Sequence, residues 1–227
     1  MCFPTAQLLF FSMLATPVPA AVPSLDEVLA AMDKAAASFS DMSAKLTRVD
    51  YTAVINDTTK ESGVVRMKRV GSREIRMRID FGEPDPRTVI FEKATIQIYY
   101  PKIQTVQVYN LGKQRSLVDQ FLLLGFGSSG TELARNYSLK VTGEEQIAGE
   151  AATRLELVPK AASVREYIEK AELWISAGGY PLRQRFDRPS GDYTLITYSD
   201  VQINTKMPDE ALKLKLPKGV KIEYPQK

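Results

Sequence analysis

The chain has 227 residues, 44% hydrophobic and 25% charged, and its 30 basic and 27 acidic side chains leave a formal charge of only +3. This is globular composition without the basic excess of a nucleic-acid-binding domain. There is no histidine, and the single cysteine is Cys2. These absences remove the commonest general base and nitrogen metal ligand, and with them thiolate zinc sites, CxxC redox pairs and intrachain disulfides. Enzymes built from Asp, Glu, Lys, Ser or Tyr are not excluded by them.

The first twenty residues stand apart. Leu8 to Ala15 is an apolar run too short to span a bilayer as a helix but of the length of a signal-peptide core. Pro17-Val18-Pro19-Ala20 ends it in an imperfect small-x-small cleavage pattern, and Met1 to Gln7 carries no Lys or Arg. The expectation is a signal peptide at 1–20, export, and a soluble mature chain beginning near Ala21. A retained anchor and a buried N-terminal segment are the alternatives. Cys2 precedes the apolar run and is on the wrong side of it for lipidation.

Ser24-Leu25-Asp26-Glu27 fits a capping box, with two acids in the first turn to suit the helix dipole. Leu25, Val28, Leu29, Met32, Ala36 and Phe39 recur at helical spacing, which predicts a helix over about 24–40 packed on a core. From about residue 44 the period becomes two. Val65, Met67 and Arg69 share one strand face against Arg66 and Lys68; Ile75, Met77, Ile79 and Phe81 alternate with Arg76, Arg78 and Asp80. Ile96, Ile98 and Tyr100 continue the pattern, followed by Tyr137 to Val141, Thr153 to Leu157, and Leu173 with Ile175. Leu182, Gln184 and Phe186 come next, then Tyr193, Leu195 and Thr197, and lastly Leu212, Leu214 and Leu216. Short runs bounded by Gly, Pro, Asp or Asn predict a mainly β single domain over 21–227. About ten or eleven antiparallel strands in one sheet must curl toward a barrel.

Alternation lapses between 110 and 135. Leu117, Phe121, Leu122 and Leu124 predict a short helix ended by Gly125, a flexible stretch runs from Gly125 to Gly130, and Thr131 to Arg135 reads as another helical turn. Such an insertion is either a lid or a plug over one open end of the core.

Little of this carries reaction chemistry. Gly130 is followed by Thr131 rather than Lys, so the glycine stretch is no phosphate loop. Glu83, Asp85, Glu144 and Glu145 lie near turns, where solvated acids are expected, and nothing pairs two carboxyls across a cleft. No Gly-x-Ser-x-Gly elbow is present, and a triad lacks its histidine. The expectation is a protein that is not an enzyme and holds no cofactor or metal. The basic run Arg66, Lys68, Arg73, Arg76 and Arg78 reads as a solvated outer face, with an anionic partner or lipid headgroup as the alternative. Arg69 differs, because it shares the inner face of Val65 and Met67. A buried guanidinium requires acceptors, whether loop carbonyls, a carboxylate or part of a ligand.

Several segments together resemble one family. Gly63-Val64-Val65-Arg66-Met67-Lys68-Arg69, with the alternation through Phe81, resembles the glycine, short strand, Lys-Arg, turn, strand segment of the LolA lipoprotein carriers. Leu157-Val158-Pro159-Lys160-Ala161 is similar to that family's L-x-P-K strand end, and Leu173-Trp174-Ile175 with Gly179-Tyr180-Pro181-Leu182 to the hairpin that follows it. Leu216-Pro217-Lys218-Gly219-Val220 is similar to its P-x-G-V ending. The resemblance spans about 24–224. It departs at Val70, where the family carries Pro, and at Ile75 and Met77, which replace an aromatic pair.

The resemblance implies an incomplete antiparallel β-barrel capped by helices, whose hydrophobic cavity holds lipoprotein acyl chains. It implies a monomeric periplasmic carrier between an inner-membrane lipoprotein-releasing complex and an outer-membrane acceptor, with no nucleic-acid partner. A binding or sensing module on the same scaffold, without transfer, is the alternative. In that scheme the candidates for lining the cavity are Val65 and Met67, then Ile75, Met77, Ile79 and Phe81, then Ile96 and Ile98. Leu117, Phe121, Leu122 and Leu124 would form the lid, and Arg69 matches the family arginine that clasps the lid by bonding to its carbonyls.

Overall fold

The computed structural model describes residues 22–71, 74–112 and 124–226. The expected leader, Arg73 of the basic run and the lid candidates Leu117, Phe121 and Leu122 lie outside the described residues. Helix α1, Leu25–Ser38, starts where the capping box places it: Ser24 Oγ accepts the Glu27 N–H at 3.3 Å and Glu27 Oε2 accepts the Ser24 N–H at 2.8 Å. Its stripe of Val28, Met32 and Ala36 is buried.

The first six strands are β1 (Asp41–Thr52), β2 (Asp57–Val70), β3 (Glu74–Phe81), β4 (Arg87–Glu92), β5 (Thr95–Tyr100) and β6 (Thr105–Asn110). Helix α2 (Gly130–Asn136) leads into β7 (Tyr137–Ile147) and β8 (Glu150–Pro159). A turn of helix, α3 (Ala162–Arg165), precedes β9 (Lys170–Ser176), β10 (Pro181–Asp187), β11 (Tyr193–Ile203) and the short β12 (Lys221–Glu223). All belong to one sheet in the order β12-β6-β5-β4-β3-β2-β1-β11-β10-β9-β8-β7. Neighbours are antiparallel except β12, which runs parallel to β6. The two halves of the chain are joined where β1 pairs β11, from Met42 opposite Ile203 to Tyr51 opposite Tyr193. The end strands β12 and β7 do not meet, so the twelve-stranded sheet curls into an incomplete barrel.

One core cluster packs Val28 and Met32 of α1 on Leu155, Leu157, Leu173 and Ile175. A second joins Met42, Val65, Met67 and Met77 to Phe126 and Tyr198. Two features depart from simple alternation. Ile175 faces Pro181 and Trp174 faces Arg183, so Leu182 is the extra residue of a bulge. It packs with Trp174 and Ile147 on the outer face, not with Gln184 and Phe186. On β11 the inward set is Thr194, Ile196 and Tyr198, not Tyr193, Leu195 and Thr197, because Ile196 stands opposite Gln184.

The strand expected at Leu212, Leu214 and Leu216 does not form. Residues Asp209–Leu212 make a 3-10 turn, and the last strand is β12. The 207–213 segment lies on the outer face of β2 and β3, where Lys68 Nζ donates to the Met207 carbonyl at 2.7 Å and Arg78 Nη1 to that of Lys213 at 2.6 Å. Carbonyls occupied by side chains are not offered to a neighbouring strand. The basic face is thus half-buried and internally paired rather than simply solvated: Arg66 and Arg78 meet Asp80 at 2.8 and 2.9 Å, and Arg76 meets Glu92 at 3.1 Å.

Burial alone would raise the Asp80 carboxyl pKa, but hydrogen bonds from Arg78 and Thr88 and the charges of Arg78 and Arg66 hold it below the ordinary carboxylate value. A carboxyl depressed by folding stabilises fully above its unfolded value, near pH 4, and loses that contribution as pH falls through the lower folded value. Asp80→Asn should therefore melt well below the native chain at neutral pH. Melts taken down to about pH 3 should show the gap closing, and a gap independent of pH would mean that the pairing adds no net stability.

Candidate functional site

The register sets the polarity of the barrel. The β1–β2, β3–β4, β5–β6 and β10–β11 turns and the 160–169 connection all lie at one end of the sheet, here the upper end. Helix α1, residues 124–127 and the β9–β10 turn close the lower end. Between them the curled sheet encloses a cavity of about 580 Å³. It is lined by Leu46, Val65, Met67, Met77, Ile79 and Phe81 on one side of the β1–β11 seam and by Phe186, Ile196 and Tyr198 on the other. Glu166, Tyr167 and Ile168 and the Arg188-Pro189-Ser190 turn frame its upper opening.

The 124–127 segment lies beneath Gln184 and Tyr198 of the cavity lining and forms the floor behind them. Phe126 is buried edge-on against the Tyr198 ring, with centroids 5.1 Å apart. Buried Gln184 donates from Nε2 to the Leu124 carbonyl, and its Oε1 accepts the Tyr198 hydroxyl at 2.7 Å. Burial pushes the Tyr198 phenol up, so it stays a neutral donor. On the other side Arg69 Nη2 donates to the Gly127 carbonyl at 3.4 Å and to the Ala36 carbonyl at 3.1 Å, with the Phe39 ring 5.8 Å from its guanidinium carbon. The last turn of α1 has no basic residue of its own, so Arg69 supplies the cation that a helix C-terminus favours.

Polar groups near the opening pair with one another. Arg48 meets Asp50 at 2.6 Å, Thr194 donates to Asp50 at 2.6 Å, and Arg188 donates to Thr194 at 3.0 Å. Arg87 grips Glu61 at 2.6 and 2.8 Å while stacked 4.3 Å from the Phe81 ring centroid. The Arg87 hydrogen bonds are the main reason the Glu61 carboxyl lies below its ordinary value. Among the described residues no group of three or more Asp, Glu or Cys could hold a metal ion. The arrangement suits an apolar body inserted from above, with a polar end left at the opening.

Of the residues singled out by sequence, Val65, Met67, Met77, Ile79 and Phe81 line the cavity. Ile75 lies below it, close to Gly127, and Ile96 packs on the second core cluster. Ile98, opposite Val89, sits farther round the sheet than the cavity wall reaches. Leu124 is buried in the floor, and Arg69 reaches the carbonyl of Gly127 in the same segment. Sequence reasoning missed Gln184, Tyr198 and Ile196 as site residues. Gln184 carried a readable signal, a polar side chain in register with Phe186 on an apolar strand.

The site is thus a curled open sheet around an apolar cavity, floored by a short insertion and capped by a helix. The family model "Outer membrane lipoprotein carrier protein LolA" matches residues 39–215, and the chain belongs to that family. Among solved structures the fold is similar to that of MucB, with a TM-score of 0.53 and 16% identity over 84% of this chain and 62% of that one. The chain therefore spans less than two thirds of MucB. It is also similar to an uncharacterized conserved protein from Thermus thermophilus, with a TM-score of 0.51 and 15% identity over 88% of this chain and 98% of that one. No curated protein matches in sequence.

Proposed function

We propose that the protein is a non-enzymatic periplasmic carrier that takes the acyl chains of lipoproteins into its cavity and delivers them from the inner to the outer membrane. In this reading the 1–20 segment directs export, a releasing complex in the inner membrane loads the carrier, and an outer-membrane acceptor unloads it. The observation that carries the reading is the cavity of about 580 Å³, apolar within and open above. Its size lies within the range of about 300–1,000 Å³ usual for small-ligand sites. Each buried methylene contributes about 0.8 kcal/mol, so one long acyl chain supplies roughly 10 kcal/mol before ordering costs. Membership of the carrier family supports the cargo class.

Ile196→Trp tests the reading, because Ile196 faces the cavity from the middle of β11. An indole there fills space that the ligand needs and adds buried apolar area. The expected result is at least a tenfold loss of affinity for a fluorescent fatty acid, on the order of 1.4 kcal/mol or more, with an unchanged or raised Tm. Equal affinity in the two proteins would sink the cavity as the binding site.

A sensor or binding module without transfer is the second reading. It is favoured by the shared fold of MucB, a protein also solved in complex with MucA. Preloaded protein incubated with acceptor membranes separates the two: a carrier gives up its lipoprotein, and a sensor retains it.

A further inference from the structure

The three most exposed large apolar side chains among the described residues are Val54, Ile55 and Ile103, at 89%, 67% and 65% of full exposure. Single exposed hydrophobics are ordinary on protein surfaces, but these three share one end of the molecule. Val54 and Ile55 form the β1–β2 turn and Ile103 the β5–β6 turn. Tyr167, itself half exposed, stands on the rim of the cavity at that same end. The β1–β2 turn is fastened to the opening directly: the Ala53 N–H donates to Asp192 Oδ1 at 2.8 Å, in the turn whose Pro189 and Ser190 frame the cavity.

We propose that this end is a membrane-contact face, and that Val54, Ile55 and Ile103 dip into the lipid interface so that the cavity opens onto a bilayer. The inference rests on the acyl-carrier reading for its purpose. An acyl chain crossing water on its way to the cavity would expose every methylene, whereas an opening held against the lipid removes that barrier.

The geometry favours a bilayer over a protein partner. The two turns are separated by intervening strands spaced about 4.8 Å apart, so their side chains are separate tips at the upper end rather than one continuous patch. A protein interface requires a contiguous, closely packed core, whereas a fluid lipid surface accepts separate apolar tips. Charge is not the driving term. Lys102 on the β5–β6 turn is paired with Glu83 at 3.3 Å, and Arg188 lies beside Asp192. Zwitterionic lipid should therefore suffice, with little response to salt.

The test is flotation of the purified protein with phosphatidylcholine vesicles, with and without added phosphatidylglycerol. The native protein should float with both kinds of vesicle. Val54→Asp/Ile55→Asp should reduce the bound fraction at least about tenfold, because charged groups are strongly excluded from lipid, and Ile103→Asp should reduce it less. All three sites are solvent-exposed, so melts should be unchanged. Binding of a fluorescent fatty acid in vesicle-free buffer should also be unchanged. Loss of that binding in the native protein would be a failure of the carrier reading and not of this one. Absence of native flotation overturns the proposal, as does equal flotation of the double variant or flotation abolished by salt alone. Delivery impaired only at membranes carrying an acceptor protein, without binding to bare vesicles, overturns it in favour of protein docking.

Discussion

On the carrier reading, Arg69→Leu should leave the protein folded and able to load, yet slow delivery of preloaded cargo by more than tenfold. The guanidinium links β2 to two other parts of the lower end through the carbonyls of Ala36 and Gly127. Hydrogen bonds from a charged donor contribute about 1.5–3 kcal/mol each when well formed. At 3.1 and 3.4 Å these two are long. Together they stabilise the closed floor by about 2 kcal/mol, a bias of roughly thirtyfold. On the carrier reading, a long acyl chain that reaches past the cavity must displace Phe126 from Tyr198, so cargo and the closed floor compete. The bias therefore opposes cargo affinity, and without it the loaded state persists. Lysine keeps the charge but loses the planar fork, so Arg69→Lys should fall between the two. Gln184→Leu releases the opposite flank by freeing the Leu124 carbonyl and the Tyr198 hydroxyl, and should add to the defect. Transfer measured beside a thermal melt decides the matter. Normal transfer by Arg69→Leu at normal stability would leave Arg69 with no clasp role.

The second large effect is on stability. Gly179, in the β9–β10 turn, has φ +81°, and a Cβ there would collide with the Ala31 carbonyl and the Met32 nitrogen of α1. Left-handed backbone costs a side-chain-bearing residue about 1–2 kcal/mol, and overpacking adds about 1–3 kcal/mol. Gly179→Ala should lose about 3 kcal/mol in total, near 8 °C of Tm for a chain of this size. Gly149 has φ +88°, and a Cβ added there would meet nothing within 4 Å. Gly149→Ala should therefore show the backbone cost alone, about 1 kcal/mol. Equal losses at the two glycines would mean that the helix does not rest on the turn.

What could be read beforehand follows from how local each cause is. The start of α1 is contained in Ser24 and Glu27, which bond to each other within a single turn. The inward face of β2 and β3 was legible because Val65, Met67, Met77 and Ile79 alternate with charged residues. On β11 the two parities compete: Tyr193 and Leu195 are as apolar as Ile196 and Tyr198, and only the pairing with β10 decides which faces the cavity. The Leu182 bulge has no sequence mark, since its cause is the offset between Pro181 and Arg183 across from β9. Leu212, Leu214 and Leu216 alternate as a strand would, but the Lys213 carbonyl among them is taken by Arg78, more than a hundred residues earlier in the chain. Arg69 could be placed on the inner face from its neighbours, while its acceptors, on α1 and the 124–127 segment, are tertiary. Gln184 illustrates the same limit, because its partners Leu124 and Tyr198 come from different elements.

The unjoined edges β12 and β7 bear on capacity. In a closed barrel the circumference is locked by a continuous ring of backbone bonds, and widening the lumen means breaking some of them. Here β1 to β6 and β7 to β11 are joined through the β1–β11 ladder, and among the described residues no backbone bonds link the far edges β12 and β7. The girth of the interior can change by flexing the sheet while each ladder stays intact, and on the carrier reading this admits chains of different thickness at the cost of bending alone.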